Sequence, residues 1–294
     1  MIKLTKRALL DRALSHHEQR LVASKIAELG DAKMTISSHG YRFGVDETIL
    51  AAATRGAKGY TKNSRTSPAI AVMEVVLAAN RDYNKAVKPY VDDMRNRYGR
   101  LTIKQLGRMV TAAGDASEFK AVWGHNDARK FEILKALLKT FSPRLGQVDT
   151  PANDFMVISA WAKTAHPSTR ATDPVGRIKD IGIATFQHLR MNFGADTVKP
   201  DLRVKHVLER EFDLRLSDQD SILAVERMAE IVKRSPLLID QMFVKYGSGY
   251  YYRTESAAVR ETVRHIVRNL KTMNSPIERI AEATGWSTRD VEGA

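Results

Sequence analysis

Apolar residues recur at helical spacing along most of this sequence. From Arg7 to Gly30 they fall three and four residues apart and stop at a glycine, a frequent C-cap residue, which predicts one long amphipathic helix. The segment "DETILAAATRG", which starts at Asp46, predicts a second helix, and the polar stretch from Gly56 to Ser67 predicts a linker. "SPAIAVMEVVLAAN", from Ser67 to Asn80, is almost wholly apolar. We expect a helix buried on most sides there, with Ser67 as its N-cap and Pro68 at its first position.

The rest of the chain carries the same helical period, without convincing strand-type alternation, internal repeats or low-complexity tracts. Further helices are predicted from Tyr83 to Tyr98, Thr102 to Ala113, Asp127 to Phe141, Asn153 to Thr164, Ala184 to Phe193, Asp201 to Phe212, Asp218 to Arg234, Leu237 to Tyr246 and Glu255 to Met273. The pattern therefore predicts an all-α fold.

The composition favours a folded protein with a polyanionic partner. The chain has 294 residues, 43% of them hydrophobic, and its 47 Lys and Arg residues outnumber its 34 Asp and Glu residues, for a formal net charge of +13. Such a charge favours nucleic acid first and an anionic membrane surface second. Cysteine is absent, which excludes disulfides, thiolate-bound zinc and cysteine-held iron–sulfur clusters.

The sequence also lacks the apolar run of a signal peptide or of a membrane span, and its histidines do not have metal-binding spacing. We therefore expect a cytoplasmic monomer that has no membrane attachment, no metal and no other cofactor.

The most informative segment runs from about residue 174 to residue 194. A short helix is predicted to start at Asp173 and Pro174, a tight turn at "DIG" (Asp180 to Gly182), and a second helix that ends at Gly194. Such a hairpin aims backbone N–H groups at one point, which suits a phosphate oxygen. Nearby cations would add salt-sensitive affinity: Arg177, Lys179, Arg190, Lys199, Arg203 and Lys205. On these residues alone, a purely structural helix pair is an open alternative.

One carboxylate stands out in the basic segment "VKPDLRV" that follows the hairpin. Asp201 comes directly after Pro200, at the start of a predicted helix. The proline restricts the approach of the chain, and the helix N-terminus favours the ionised carboxylate. The residues alone leave two roles open, a helix N-cap and a catalytic carboxylate.

Together these segments resemble the helix-hairpin-helix DNA glycosylase superfamily, the endonuclease III-like (HhH-GPD) proteins. The counterpart of the family's hairpin is "IKDIG", from Ile178 to Gly182, and it is followed by Thr185 and Gly194. Asp201 then falls at the position of the family's catalytic aspartate.

Two earlier segments extend the resemblance, which covers roughly residues 67 to 210. "SPAIAVMEVVLAAN" is similar to the family's early helix and ends with Asn80, where the family has a glutamine that fills the space left by an extruded base. "NDARKFEILKALL", which starts at Asn126, looks like the lysine-containing helix before the hairpin.

The resemblance implies specific roles for residues of this chain. Asp201 would be the catalytic carboxylate, and Asn80 would be the plug that replaces the extruded base. The implied DNA contacts are Lys179, Ile181, Gly182, Ala184, Thr185, Lys199, Arg203 and Lys205. For the base pocket the sequence offers Trp161, Phe186 and Tyr250. The partner would be double-stranded DNA with one extruded base.

Three departures from the family's pattern change what is implied. Asp180 replaces the first glycine of the hairpin and brings a negative charge near the expected phosphate. Ala184 stands where strand-cutting members carry a catalytic lysine, which implies a monofunctional enzyme without lyase activity; Lys199 and Lys205 are the alternatives for that lysine. The missing cysteines exclude the family's frequent iron–sulfur cluster.

We therefore predict a two-lobed glycosylase with DNA across the groove between its lobes. Residues 67–195 would form a helical barrel that ends in the helix-hairpin-helix, and residues 196–294 would form a C-terminal lobe with the helices of residues 1–66. The enzyme would hydrolyse the N-glycosidic bond of a damaged or modified base and leave an abasic site. The role, base-excision DNA repair or antiviral defence against modified phage DNA, is open.

Other interpretations are also open. One is a non-catalytic helix-hairpin-helix DNA-binding protein, and another is a DNA base-modifying enzyme on the same scaffold. "RIAEATGWSTRDV", from Arg279 to Val291, resembles a helix-turn-helix core, either as a DNA contact or as a terminal helical hairpin.

Overall fold

The computed structural model describes residues 4–38, 41–250, 257–284, 286 and 288–293, and these residues are mostly helical. The predicted predominance of helix is confirmed. The chain divides into two compact units: unit 1 comprises Met1–Gly56, Leu202–Arg215 and Leu238–Ala294, and unit 2 comprises Ala57–Asp201 and Leu216–Leu237. Leu216–Leu237 thus groups with unit 2, whereas the sequence placed it in a C-terminal lobe.

The elements follow one another in this order: α1 (Lys6–Leu10), α2 (His16–Asp31), β1 (Lys33–Ser38), β2 (Tyr41–Thr48), α3 (Ile49–Gly59), α4 (Lys62–Thr66), α5 (Pro68–Ala78), α6 (Tyr83–Ala86), α7 (Lys88–Tyr98), α8 (Ile103–Ala113), α9 (Ala116–Trp123), α10 (Ala128–Phe141), α11 (Pro151–Thr164), α12 (Ile183–Asn192), α13 (Leu202–Phe212), α14 (Asp218–Ile231), α15 (Pro236–Tyr250), α16 (Ala257–Thr272), α17 (Ile277–Thr284) and α18 (Thr288–Glu292). Short 3₁₀ turns lie at Ser142–Arg144 and Pro167–Thr169.

Helix α5 forms the centre of unit 2. All its residues from Pro68 to Leu77 are buried, and it packs against α4, α7, α8, α10, α11 and α12. Because neighbours cover it on every side, its apolar residues are consecutive and do not form a stripe. The predicted burial is confirmed, and so is Pro68 at the helix start. Ser67 makes no capping bond; its hydroxyl instead donates to the Leu101 carbonyl at 3.1 Å.

Unit 1 contains an antiparallel hairpin of β1 and β2, in which Ser38 lies opposite Tyr41. The prediction of no strand, and of a helix from Asp46, is wrong here, since α3 begins only at Ile49. A strand signal exists in the sequence. Met34 and Ile36, and then the apolar residues of β2, alternate with polar residues or glycine.

The long helix predicted from Arg7 to Gly30 is two helices, α1 and α2. Arg12 adopts a left-handed backbone conformation (φ 58°), which ends the first helix. Ser15 then starts the second with a capping box, in which its hydroxyl accepts the Glu18 N–H and the Glu18 carboxylate accepts the Ser15 N–H.

Local chemistry also explains the other wrong boundaries. The helix predicted from Tyr83 is interrupted between α6 and α7, because Pro89 has no N–H for the Lys85 carbonyl and its ring would clash with that carbonyl. The predicted linker contains the end of α3 and all of α4. Helix α9 was not predicted, although Asp115 caps it by accepting the N–H groups of Ser117 and Glu118.

The C-terminal helices α16, α17 and α18 share a small apolar cluster in unit 1. Its buried members are Val263, Val267, Ile280 and Val291. The segment that resembled a helix-turn-helix thus forms a helical pair that packs on α16, and its contact with DNA stays a prediction.

Candidate nucleic-acid interface and catalytic carboxylate

The segment before the hairpin is a series of turns, so the short helix predicted there is wrong. The Asp173 carboxylate accepts the N–H groups of Val175 at 2.8 Å and Gly176 at 3.1 Å, and the Asp173 carbonyl accepts the Arg177 N–H at 2.9 Å, so the segment forms a single turn held by side-chain and backbone bonds. Arg170 donates to the carbonyls of Gly176 and Ile181, both at 3.0 Å. Gly176 is required by this close packing, because a Cβ there would lie 2.1 Å from the Arg170 carbonyl oxygen.

The backbone conformation of the hairpin turn is one that its residues can adopt. Asp180 is left-handed, with φ 69°, a conformation that aspartate tolerates better than most residues. Its carboxylate lies 3.6 Å from Nε of Arg129 on α10, and 34% of the Asp180 side chain is exposed. This cation partly offsets the negative charge that Asp180 brings to the hairpin.

Gly182 is the N-cap residue of α12, and no side chain caps this helix end. Gly182 is exposed, and a Cβ there would meet no atom within 4 Å. Ala184 and Thr185 follow in the first turn, half-buried, while Lys179 is exposed and Ile181 is buried in the core of unit 2. Ile181 therefore anchors the hairpin, and the open helix end offers backbone N–H groups to an anion.

A buried polar network holds the loop that leads from α12 to Asp201. Gln187, which is fully buried, donates to the Thr197 hydroxyl and to the Val198 carbonyl, both at 2.8 Å. The side-chain amide oxygen of Gln187 accepts a bond from the Arg190 guanidinium at 2.5 Å, and the Thr197 hydroxyl donates to the Glu226 carboxylate at 2.7 Å. Since its bonds are satisfied inside the fold, this network gives the loop one defined conformation.

Asp201 is the last residue of unit 2 and directly precedes α13. Its N–H donates to the Lys199 carbonyl at 2.7 Å, which closes a γ-turn around the buried Pro200. The fixed φ of proline suits this turn. Asp201 and Lys199 are both half-buried. Arg203, which is exposed, and Lys205, which is half-buried, follow on α13 in unit 1.

His188 lies one helical turn after Ala184 on α12. Burial and the nearby Lys199 lower the pKa of His188 well below its usual range. Its imidazole is therefore neutral at neutral pH and adds no positive charge beside Lys199.

Asn80 follows the C-terminus of α5, exposed and left-handed with φ 58°. The Lys130 ammonium from α10 donates to the carbonyls of Val76 and Ala79, both at 2.8 Å, and to that of Leu77 at 3.3 Å. A cation at a helix C-terminus also interacts favourably with the helix dipole. Lys130 therefore fixes the end of α5 immediately before Asn80.

Arg81 holds the chain on the C-terminal side of Asn80. Its guanidinium lies 2.9 Å from the Asp127 carboxylate and 2.7 Å from Nδ1 of His125. The backbone around Asn80 is thus held on both sides, and the Asn80 side chain is left at the surface.

Two of the three aromatic residues expected in a base pocket, Trp161 and Phe186, lie in the core of unit 2. Trp161 is 5% exposed and Phe186 is fully buried, and the two rings pack edge to face with centroids 5.7 Å apart. The Trp161 indole N–H donates to Asp173 at 3.0 Å. Both rings belong to the core of unit 2, so neither presents a free face to a base. The Tyr250 side chain lies outside the described residues.

Two supporting residues were missed by the sequence reasoning. Lys130 was detectable, because it falls in phase with the buried Leu134, Leu137 and Phe141 on α10. Gln187 was not, since most of its neighbours on α12 are buried and no polar stripe singles it out.

Comparisons of the chain with protein-family models, curated proteins and solved structures find no match. Among the described residues, no helix combines the length and apolar character that a membrane crossing requires. Within the same part of the chain, no three His, Asp or Glu side chains are grouped so that they could bind a metal ion.

Proposed function

We propose that this protein is a monofunctional DNA glycosylase that hydrolyses the N-glycosidic bond of a damaged or modified base and leaves an abasic site. The observation that carries the proposal is the arrangement between Asp180 and Asp201. The exposed start of α12 at Gly182 is followed, after the helix, by a loop that buried hydrogen bonds hold in place. That loop ends in one half-buried carboxylate, Asp201.

The hairpin binds DNA through its backbone. The N–H groups at the start of α12 are presented to a phosphate oxygen at Gly182, and Lys179 and Lys199 add positive charge. These contacts read no sequence, and they position the backbone of the DNA strand. Arg203 and Lys205 are further proposed phosphate contacts.

Asp201 is the proposed catalytic carboxylate. Breaking the bond between base and sugar develops positive charge on the deoxyribose, as in glycoside hydrolysis. A fixed carboxylate next to that sugar stabilises the charge and can accept a proton from the attacking water. Because the γ-turn and the Gln187 network hold the loop, little reorganisation is needed when the charge develops.

The residue at the position of the family's catalytic lysine favours hydrolysis without strand cleavage. Ala184 has no amine with which to form a Schiff base. Burial lowers the pKa of Lys130 to about 8, but its ammonium is occupied by three carbonyls and the residue is only 7% exposed. A lysine nucleophile must reach the sugar, and Lys130 is enclosed.

A panel of DNA substrates tests the proposal. Duplexes with one oxidised, alkylated, deaminated or mismatched base, and phage DNA with bulky modified bases, are incubated with the protein and then treated with alkali. We expect strand breaks only after alkali, for at least one substrate class, and no covalent complex after borohydride reduction. Binding without any alkali-labile site would contradict the proposal and favour a non-catalytic DNA-binding protein. An altered base that stays attached to its sugar would favour a base-modifying enzyme.

A further inference from the structure

A basic groove runs between α8 and α10 in unit 2, with a volume of about 1090 Å³. Four cations line it: Lys104, Arg108, Lys135 and Lys139. Glu132 is the one acidic residue among the lining residues, and it pairs with Lys135 at 3.1 Å. The lining therefore carries a clear excess of positive charge.

The cations of the groove differ in how far they are neutralised. Arg108 lies 3.4 Å from the Asp149 carboxylate, a weak pair in which 68% of the arginine side chain is exposed. Neither Lys104 nor Lys139 forms a salt bridge with any residue that the structure describes. These two ammonium groups are available to an external anion, one from each wall of the groove.

Several of the residues that line the groove are small. A Cβ at Gly107 would meet no atom within 4 Å, and Ala112 and Ala136 also line the groove. A bulky, charged backbone can therefore approach the helices closely between the two walls.

One face of α10 carries both a groove wall and a contact with the hairpin. Arg129, which pairs with Asp180 of the hairpin, is followed on that helix by Glu132, Lys135 and Lys139 at steps of three and four residues. From Arg129 to Lys139 the helix rises about 15 Å. This equals about four nucleotide steps of one DNA strand, at ~3.4 Å per step.

We infer that this groove binds the phosphate backbone of the same DNA duplex, beyond the nucleotides that the hairpin contacts. The inference rests on the proposed function for its DNA partner, and it adds a second contact surface on the flanking duplex. Lys104 and Lys139 each neutralise a phosphate, so they supply affinity and salt dependence without touching the reacting sugar.

The test compares two double variants of the whole protein. Lys104→Gln/Lys139→Gln removes the unpaired cations of the groove. The matched control, Lys58→Gln/Lys62→Gln, removes the same charge from exposed lysines of unit 2 outside it. DNA affinity is measured over a range of salt concentrations on a duplex of about three helical turns, at ~10 base pairs per turn, and on a short duplex that ends at the nucleotides the hairpin contacts.

On the longer duplex we expect the groove variant to lose about tenfold in affinity and about two units of the logarithmic salt slope, at ~0.9 per phosphate contact. On the short duplex, and with the control variant, we expect wild-type behaviour. Equal losses in both variants, or no loss in the groove variant, would overturn the inference. The rate of base release at saturating DNA is measured separately. A wild-type protein that binds DNA but releases no base would contradict the proposed enzyme. The inference about the groove would then still be decided by the affinities of the two variants.

Discussion

At the scale of single residues, the backbone on both sides of Asn80 keeps its side chain at the surface. It is exposed and left-handed, between the Lys130 contacts on one side and the Arg81 contacts on the other. Asparagine is one of the few residues that adopt this conformation readily. Its presence thus has a conformational explanation, and its proposed role as a plug needs a separate test.

Two substitutions at Asn80 separate these explanations. Asn80→Gly removes the side chain without straining the left-handed backbone, whereas Asn80→Ala removes it and strains the backbone. If Asn80 is the plug, both variants release the base about tenfold more slowly, since extrusion costs a few kcal/mol. The Asn80→Gly protein should keep its thermal midpoint. A full rate of base release in Asn80→Gly, measured in a single turnover, would leave Asn80 only its role in the turn.

The hairpin residues were predictable because their chemistry is local. Asp180 in a left-handed turn and Gly182 at a helix start follow from which residues tolerate those conformations. The turns before them were not predictable from the helical period. They depend on side-chain bonds from Arg170 to Gly176 and from Trp161 to Asp173, six and twelve residues apart, which a helical period does not reveal.

At the scale of elements, Lys130 joins α10 to the end of α5. Burial lowers the pKa of Lys130 to about 8, from 10.5 in an unfolded chain. Between these values the unfolded state binds more protons than the folded state, so this residue's contribution to the free energy of unfolding rises with pH. Below this window both states are protonated, and the folded state carries the full cost of the buried charge.

A comparison with Lys130→Met tests this linkage. We expect the difference in free energy of unfolding, wild type minus variant, to grow by about 1–3 kcal/mol from about pH 7 to about pH 10. Urea unfolding at both pH values measures it, and Lys139→Met controls for the loss of an exposed lysine from the same helix. A difference that stays constant with pH would contradict the shifted pKa.

The loop between α12 and Asp201 depends on Gln187 for its conformation. Gln187→Met keeps the volume but removes the bond to the Val198 carbonyl and the bond from one N–H of Arg190, whose Nε still donates to Ala162. If the loop positions Asp201, base release should slow by about 10–100-fold while DNA affinity is unchanged, because a small displacement of a catalytic group is costly.

Single-turnover rates and DNA affinity are measured at a temperature where the Gln187→Met protein is folded. Val91→Ala, a core substitution on α7, controls for lost stability alone. A Gln187 variant that releases the base as fast as Val91→Ala does would show that the network only stabilises the fold.

Most helices could be predicted because each has its own periodic pattern or cap. The failures occurred where a strand lies beside helices, as at Met34 and Ile36, and where one residue interrupts a helical pattern, as Arg12 and Pro89 do. Hairpin β1–β2 is short, and the helical periods on both sides obscured its alternation.

At the scale of the whole molecule, the division into units follows contacts that are distant in sequence. Asp196 accepts bonds from the Ser235 hydroxyl at 2.6 Å and the Leu237 N–H at 2.9 Å, which holds Leu216–Leu237 in unit 2. No periodicity in the sequence reveals such a return of the chain. The net charge of +13 indicated a polyanionic partner, whereas the location of the unpaired cations in the α8–α10 groove required the structure.

The central claim is that Asp201 performs base removal, and one variant tests it directly. Asp201→Asn removes the negative charge with almost no change in size, and Asp196→Asn, in the same loop, is the matched control because asparagine can still accept the bonds at that position. On the substrate found active, base release is measured in a single turnover beside DNA affinity. We predict that Asp201→Asn loses at least about a thousandfold in rate, binds DNA as tightly as wild type and folds normally, while Asp196→Asn keeps most of its activity. Base release at the wild-type rate by Asp201→Asn would contradict the account.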